Sequence, residues 1–455
     1  MFICSREFRK KLIAILRVMI PILITQVAIM SMNFFDTVMS GQAGTNDLAG
    51  VAIGANIWMP VFTGINGLLL ALTPIVAHFR GAGAKGDIPV AVFNGIILAI
   101  LISLVTIVAG YILLPLVLDT MTLTPIVRKI GVWYLIALAT GIVPLFVTNV
   151  LRAFVDTMGY TQMTMRLFAL TLPANVFLNW VFIFGKLGMP ALGGIGAGVG
   201  SALTYWLLAV AFVVLIYKIP ELNSYHIFAN YGFSWPRIKE HLTLGIPMGT
   251  SIFFETSIFG VVALFISKFG TAPIAAHQAA MNFTSLLYML PLSFSMALTI
   301  LVGVEVGARR FSEAQLFAKT GRYASWVIAT IFAIFLFTCR YYVAELYSPD
   351  QEIILLAGNF LLYDVVFQFC DATAAPIQGI LRGYKDVKAP FYFSLIAYWA
   401  ISLPLGIVLA VWGGQGPYGY WQGLIAGIFF SALFLTLRLK YVEKNVRMGK
   451  WVIPE

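Results

Sequence analysis

The sequence predicts an all-α integral membrane protein with twelve transmembrane helices, arranged as two six-helix bundles that are related by a parallel internal repeat. Three observations support this fold class: the composition, a series of long apolar stretches, and an alignment of the two halves of the chain. Of the 455 residues, 60% are hydrophobic and only 11% are charged, against about 25% charged residues in soluble domains. The mean hydropathy is +0.91. The composition therefore excludes a soluble globular protein, a disordered chain and a fibrous repeat.

Twelve apolar stretches are long enough to cross a membrane as helices, since a helical span needs about 20 residues. They are too long and continuous for the strands of a transmembrane barrel, which need only about 10 residues. Because twelve is an even number, both termini are predicted on the same side. The stretches are 12–39, 48–78, 89–117, 127–151, 163–185, 192–217, 242–269, 275–305, 315–339, 352–379, 389–412 and 419–439.

The positions of the basic residues predict the orientation of the chain. If the termini and the even-numbered loops share one side, 24 of the 29 Lys and Arg residues lie there. Basic residues collect in cytoplasmic loops, so both termini are predicted in the cytoplasm. The net charge of +10 is then an orientation signal, and no nucleic-acid partner is expected.

A repeat divides the chain in two. The polar segment 218–240 is predicted to be a cytoplasmic linker between an N-terminal bundle, 1–217, and a C-terminal bundle, 241–455. A shift of 226 residues pairs 13 identical residues among the 64 positions from 19 to 82, including Pro21 with Pro247. Six helices per half give both halves the same orientation, which is an architecture for alternating access with sites near the membrane midplane.

Five carboxylates are predicted inside the membrane, whereas no Lys or Arg is placed deep in any span. A charge at the bilayer centre costs about 2.5–3.5 kcal/mol on insertion scales, so each acid is expected to be paired, protonated or functional. Glu305 precedes Arg309 by four residues, a favourable ion-pair spacing, and is predicted to be structural. The five acids are Asp36, Glu255, Glu305, Asp364 and Asp371.

Two of the acids are the main candidates for a cation or proton site in the second half. Glu255 lies near the middle of its span, after Pro247, and Asp371 lies deep in another span beside Cys370 and Gln378. Asp364 precedes Asp371 by seven residues, which returns to the same helical face, and it is a candidate for substrate binding. Hydrogen bonding between helices is the structural alternative for all three acids, and for Asp364 it is an equal alternative.

The first half offers a second polar constellation. Asp36 lies late in the first span, and Asn175 and Asn179 are four residues apart, hence on one face of their helix. An acid and two amides can form a polar substrate site. The alternative interpretation of Asp36 is an ordinary carboxylate at the membrane interface.

Several other classes of function and partner are not indicated. The three cysteines form no spaced cluster, so no zinc site or disulfide framework is predicted. The sequence has no His-Glu-x-x-His motif, no serine nucleophile elbow and no paired Gly-Asp aspartyl motif, so we expect no enzyme activity and no cofactor. Aromatic residues make up 14% of the chain and, beside carboxylates, suit bulky lipophilic cations as substrates. Apart from the lipid bilayer we expect no further partner, and the chain is expected to be a monomer.

Five segments of the chain form an ordered set of motifs. They are Asn-Phe-Phe-Asp-Thr-Val-Met-Ser-Gly at 33–41, Leu-Thr-Pro-Ile-Val-Ala-His at 72–78, Leu-Arg-Ala-Phe at 151–154, Ala-Ala-His-Gln at 275–278 and Leu-Arg-Gly-Tyr-Lys-Asp at 381–386. No single motif is decisive, but several occur in order at matching helices. Through them the chain resembles the multidrug and toxic compound extrusion (MATE) transporters, especially their bacterial NorM-like branch, over essentially its whole length.

This resemblance implies an antiporter that exports organic cations while Na⁺ or H⁺ returns. It also implies the bacterial plasma (inner) membrane as the location of the chain. Glu255 and Asp371 match the acids of the family's cation site in the second half, where they would be the Na⁺ ligands if sodium is the coupling ion. Asp36, with Asn175 and Asn179, matches the polar site of the first half.

The chain departs from the family pattern at two positions, which leaves the coupling ion open between Na⁺ and H⁺. Phe259 stands where some relatives have a second acid, and Phe367 stands where some sodium-coupled relatives have a tyrosine.

The alternatives to an antiporter are a flippase for lipid-linked oligosaccharides of the same superfamily and a transporter of the major-facilitator type. A flippase substrate carries pyrophosphate and calls for buried Arg or Lys, whereas the sequence predicts buried acids.

Overall fold

The computed structural model describes residues 6–121 and 123–451, and every regular element within this part of the chain is helical. The helices are α1 (Arg6–Ala43), α2 (Thr45–Leu69), α3 (Leu72–Ala82), α4 (Asp87–Asp119), α5 (Pro125–Ala139), α6 (Ile142–Thr157), α7 (Thr161–Phe184), α8 (Gly194–Lys218), α9 (Pro220–Asn223), α10 (Trp235–Ile266), α11 (Thr271–Gly307), α12 (Phe311–Glu345), α13 (Gln351–Gly383), α14 (Lys388–Ser394), α15 (Leu403–Ile407) and α16 (Pro417–Arg447). A 3₁₀ turn, Ser267–Phe269, follows α10, and two π-helical segments, Leu395–Ser402 and Val408–Trp412, flank α15.

The predicted twelve spans are confirmed. Within the described residues, eleven helical segments are long and apolar enough to cross a membrane, and α5 with α6 forms a twelfth span that is bent by 48°. The bend lies at Gly141, where a Cβ atom would meet the backbone of Ala202 on α8. Only glycine allows this close approach, since it has no side chain to displace.

The helices pack into two compact units, which are described separately. The N-terminal unit is Ile24–Gly249, and the C-terminal unit joins the described residues up to Leu23 with those from Thr250 onward. These boundaries fall inside α1 and α10, close after Pro21 and Pro247, whereas the sequence places the division at the linker 218–240. The division into 1–217, 218–240 and 241–455 follows the repeat and stays a prediction.

In the N-terminal unit, glycines bring α8 against its neighbours. The amide of Gly194 donates to Oδ1 of Asp47 at 2.7 Å, so that a carboxylate from α2 caps the first turn of α8. Further along α8, Gly196 and Gly200 have no room for a Cβ atom, because α7 lies directly against them. This contact fixes the register in which α8 faces the two asparagines of α7.

In the C-terminal unit, α11 and α13 are packed so closely that their backbones come into contact. Gly379 of α13 lies so close to the carbonyl group of Ser295 on α11 that a Cβ atom could not fit between them. The unit's core is formed by large buried side chains such as Phe294, Phe360 and Trp421. The close contact at Gly379 fixes the register of α13 against α11, and with it the position of the polar face of α13.

Candidate functional site

Glu255 on α10 is surrounded by donors from three segments. Its Oε1 atom accepts hydrogen bonds from Nε2 of Gln378 on α13, at 2.6 Å, and from Oγ of Ser394 at the end of α14, also at 2.6 Å. Ser251 lies one turn earlier on α10, 3.5 Å from the same oxygen, and donates to Ser394 at 3.1 Å. All of these donors are neutral, so the carboxylate is held in position without a direct ion pair.

The π-helical segment Leu395–Ser402 begins directly after Ser394. Widened helical turns of this kind occur frequently at functional sites, because they shift the register of the side chains that follow. Here the irregular turn starts next to the residue that contacts Glu255. The regular helix α14 therefore ends at Ser394, the residue that contacts Glu255.

Asp371 and Asp364 are both buried on α13, and in each the structure leaves one carboxylate oxygen unpaired among the described residues. Asp364 is fully buried, and its Oδ1 atom lies 3.5 Å from Nε2 of Gln368. The Oδ2 atoms of Asp364 and Asp371 have no hydrogen-bond partner within the described residues. Asp371 interacts electrostatically with both Glu255 and Asp364. The structure thus brings the three predicted acids of the C-terminal unit into one cluster.

These polar residues recur at a regular interval along α13. Asp364, Asp371 and Gln378 are each seven residues apart, which places them on one face two turns from each other. Asp364 therefore shares a face with Asp371, as the spacing predicts. Thr373 lies between Asp371 and Gln378 in the sequence but does not join the cluster. It accepts a hydrogen bond from Nε1 of Trp326 at 2.9 Å.

Two arginines near the ends of spans are buried, which the sequence does not predict. Arg152 on α6 and Arg382 on α13 are both buried, each with 8% of its surface exposed. The difference arises at the helix ends, since the predicted spans stop at 151 and 379 whereas the helices continue to Thr157 and Gly383. A prediction from hydropathy tends to end a span before a charged residue. A charged residue can nevertheless be buried near the end of a helix when other side chains provide hydrogen-bond partners for it.

Asp36, Asn175 and Asn179 come together in the N-terminal unit. Nδ2 of Asn179 donates to Oδ1 of Asp36 and lies 3.3 Å from Oδ1 of Asn175. Ser201 on α8 donates to the other oxygen of Asp36 at 2.7 Å, and Asn175 donates to Thr204 at 3.3 Å. All of them are buried. Ser201 was not predicted as a site residue, and the one sequence feature that could have pointed to it is its place in the glycine-rich start of α8.

Phe259 and Phe367, the two departures from the resembling family's pattern, are in contact with each other. Their rings meet edge to face, with centroids 6.0 Å apart. Phe367 is buried one turn before Asp371. An apolar contact therefore occupies the positions at which the resemblance leads one to expect oxygen ligands.

Among the residues that the structure describes, no group of three or more His, Cys, Asp and Glu side chains could hold a metal ion. The oxygen atoms near Glu255 are those of carboxylates, hydroxyls and amides. Hard oxygen ligands suit Na⁺ or a proton better than a transition metal. At this site, Na⁺ could be bound by Glu255 and Asp371 only with help from neutral oxygens.

Comparison with known proteins places these features in a family. The MatE family model matches the chain twice, at residues 21–181 and 247–408. The two matches begin 226 residues apart, which is the shift that aligns the halves of the sequence.

The chain is 49% identical to the probable multidrug resistance protein NorM of Halalkalibacterium halodurans over 94% of both chains. It is 47% identical to the protein of the same name from Bacillus subtilis, over 97% of this chain and 98% of that protein. Two solved structures share the fold: the eukaryotic MATE transporter AtDTX14, with a TM-score of 0.85 and 20% identity, and the Vibrio cholerae MATE transporter VcmN in its bent form, with a TM-score of 0.88 and 16% identity. Each alignment covers 98% of this chain and 99% of the other.

Proposed function

The chain belongs to the MatE family, and from this premise we propose that it is an antiporter that exports lipophilic organic cations while Na⁺ or H⁺ moves inward. Its relatives carry names of transporters and multidrug resistance proteins, not of enzymes. The distribution of basic residues, 24 of 29 on one side, supports an orientation with both termini in the cytoplasm of a bacterial cell.

The acid cluster of the C-terminal unit carries the proposal. Glu255, Asp371 and Asp364 lie together within membrane-spanning helices, and two of them have an oxygen without a partner among the described residues. A carboxylate in hydrocarbon is costly while it remains ionised and uncompensated. Its charge is therefore neutralised by a proton, Na⁺ or a cationic substrate, and these three compete for the same oxygens.

The competition becomes transport when the competing cations favour different states of the protein. A ligand shifts a conformational equilibrium only by the difference between its affinities for the two states. The entering ion favours release of the organic cation on the outer side, and the organic cation favours release of the ion on the inner side. Glu255 and Asp371 bind the coupling ion in this scheme.

Asp36 is the second candidate for this role, in the N-terminal unit. It is held by Asn179 and Ser201, and Oδ1 of Asn179 has no partner within the described residues. A carboxylate beside a free amide oxygen suits a small cation or a positively charged group of the substrate. We assign Asp36 to binding of both the substrate and the coupling cation, and Asn175 and Asn179 to binding of the substrate.

An anionic substrate is not favoured by the two buried arginines. Arg152 is 3.4 Å from Asp156, which neutralises it, and Arg382 lies in a network that leads to Glu255. A pyrophosphate group would meet carboxylates at both positions. The polarity of the clusters therefore favours cations over the substrate of a lipid-linked oligosaccharide flippase.

The test is efflux of ethidium from proteoliposomes, first under an imposed Na⁺ gradient and then under a pH gradient. We expect Glu255→Gln and Asp371→Asn to lose at least about tenfold of ion-driven efflux, because each removes a charge that only a cation can neutralise. Glu305→Gln is the matched control, since Glu305 pairs with Arg310 at 2.7 Å and lies at the end of α11. Full ion-driven efflux by both site variants, or efflux by the wild type under neither gradient, would contradict the proposal.

A further inference from the structure

The same motif ends two helices of this chain, and its arginine is buried in both. Residues 151–156 read Leu-Arg-Ala-Phe-Val-Asp at the end of α6, and residues 381–386 read Leu-Arg-Gly-Tyr-Lys-Asp at the end of α13. Arg152 and Arg382 are equally buried. Because a buried guanidinium requires an anion or several acceptors, the partners of the two arginines can be compared directly.

In the N-terminal unit, the motif neutralises its own arginine. Nε of Arg152 lies 3.4 Å from Oδ2 of Asp156, four residues later, and Nη2 donates to Oε1 of Gln26 at 3.1 Å. The guanidinium also lies over the ring of Phe168, at 5.3 Å from its centroid. The positive charge of Arg152 is therefore neutralised by the acid of its own motif.

In the C-terminal unit, the acid of the motif is bound by another residue. Asp386 accepts from Nε of Arg438 on α16 at 2.7 Å. Arg382 forms no ion pair with Asp386 in the part of the chain that the structure describes. As a result, Arg382 keeps a buried positive charge that its own motif does not neutralise.

Arg382 is directed toward Glu255 instead. Its Nη2 atom donates to Oε1 of Gln378, one turn earlier on α13, at 3.3 Å. Nε2 of the same amide donates to Oε1 of Glu255 at 2.6 Å. Since the guanidinium fixes the oxygen end of this amide, the nitrogen end must point toward the carboxylate. An electrostatic interaction between Arg382 and Glu255 accompanies this link.

We infer that Arg382 is a positioning residue for the Glu255 site: it orients Gln378 toward Glu255 and supplies the fixed positive charge that limits how tightly the acid cluster holds its coupling cation. The inference rests on the proposed function of Glu255 as a cation site and deepens it. Without a nearby positive charge, three clustered carboxylates would bind a proton or Na⁺ so firmly that release, and hence turnover, becomes slow.

The other ionisable groups near Glu255 cannot perform this task. They come from the helices packed around it, and none of them is basic: Asp371 on α13, Tyr288 on α11 and Tyr398 in the segment Leu395–Ser402. Asp364 lies two turns before Asp371 on the same face of α13 and adds negative charge. Among the ionisable groups that the structure describes around Glu255, the positive charge therefore comes from Arg382.

The test is equilibrium binding of tetraphenylphosphonium to the purified full-length chain as a function of pH, since protons compete with this cation for Glu255. An opposite charge near a carboxylate favours its ionised form. Arg382→Gln is therefore expected to move the pH of half-maximal binding up by about one unit, and Arg382→Lys to keep it near the wild-type value. Efflux by Arg382→Gln should show a lower maximal rate together with a lower KM.

Two controls distinguish the effect of the link from Arg382 through Gln378 to Glu255 from a general loss of charge or of the fold. Arg310→Gln removes an exposed arginine that pairs with Glu305 and is expected to leave the pH of half-maximal binding unchanged. In a Glu255→Gln background, Arg382→Gln should cause a smaller shift than in the wild-type background, because the carboxylate linked to Arg382 through Gln378 is gone and only Asp371 and Asp364 remain.

Several outcomes would overturn the inference. An unchanged midpoint in Arg382→Gln contradicts it, and so does an equal shift in Arg382→Lys, which would assign the effect to packing. If Arg382→Gln does not fold, Gln378→Leu breaks the same link with the charge retained, and an unchanged midpoint there is equally contradictory. A wild-type chain that neither binds nor exports tetraphenylphosphonium would instead refute the proposed function.

Discussion

The ring of Phe259 meets the ring of Phe367 edge to face, with centroids 6.0 Å apart, in the C-terminal unit. Phe367 lies one helical turn before Asp371. The two aromatic side chains close this side of the acid cluster with apolar surface. Neither ring can supply an oxygen to a Na⁺ ion bound at Asp371.

The Phe367→Tyr variant tests what this contact does to ion coupling. A hydroxyl group near Asp371 adds a hard oxygen ligand of the kind that alkali and alkaline-earth ions prefer. We expect the Na⁺ concentration for half-maximal efflux to fall by about fivefold, while efflux under a pH gradient changes less than twofold. Proteoliposome efflux under each gradient measures both, with Phe369→Tyr on the exposed side of α13 as the control. Equal Na⁺ responses in the two variants would show that the apolar contact does not limit Na⁺ binding.

Ser201 offers a test of the Asp36 cluster. Its hydroxyl donates to Oδ2 of Asp36 at 2.7 Å, and a hydrogen bond to a charged group contributes about 1.5–3 kcal/mol. We expect Ser201→Ala to weaken the apparent affinity for ethidium by about tenfold, measured as the KM of efflux, and Ser201→Thr to restore most of it. Ser103 is a matched control, since it is buried in the same unit but donates only to its own helix, to the carbonyl of Ala99 at 2.7 Å. A loss of affinity in Ser103→Ala as large as in Ser201→Ala would contradict a specific role.

The twelve helices and the positions of the acids could be predicted from the sequence, because burial in a membrane depends on long apolar stretches and makes each charge conspicuous. Glu255, Asp371 and Asp36 stand out for this reason. Ser201 and Ser394 could not be predicted, since single serines are common in apolar helices. They became partners of acids only through the packing of α8 on α7 and the placement of α14 beside α10.

Helix ends account for the errors. Arg152 and Arg382 lie in last turns that hydropathy assigned to loops. Glu305 pairs with Arg310 at 2.7 Å, not with Arg309 as its spacing predicts. The helix α11 ends at Gly307, and Arg309 adopts a φ of 58°. The rule that residues four apart face each other applies only while the helix continues.

Gly379 is expected to be essential for the packing of α13 against α11. A Cβ atom there would collide with the backbone of Ser295, and overpacking of this kind costs about 1–3 kcal/mol. Gly379→Ala should therefore lower the melting temperature in detergent by several degrees and reduce efflux, because Gln378 moves with the helix. Gly110→Ala on α4 is the control, since nothing lies within 4 Å of the added atom. A melting temperature for Gly379→Ala equal to that of the control would contradict the close contact.

The buried pair of Arg152 and Asp156 is expected to affect stability and not ion selectivity. Removing one partner leaves an uncompensated charge, which costs about 3–5 kcal/mol in buried pairs, so Asp156→Asn should strongly lower the melting temperature. The double variant Arg152→Gln/Asp156→Asn buries no net charge and should recover part of the loss. Asp119→Asn is the control, because Asp119 and Arg128 form an exposed pair at 2.6 Å, and such pairs contribute about 0–1 kcal/mol. A double variant that is less stable than Asp156→Asn alone would contradict this expectation. It would show that Gln26 and Phe168 are sufficient to stabilise the buried charge of Arg152 and that Asp156 is not needed to neutralise it.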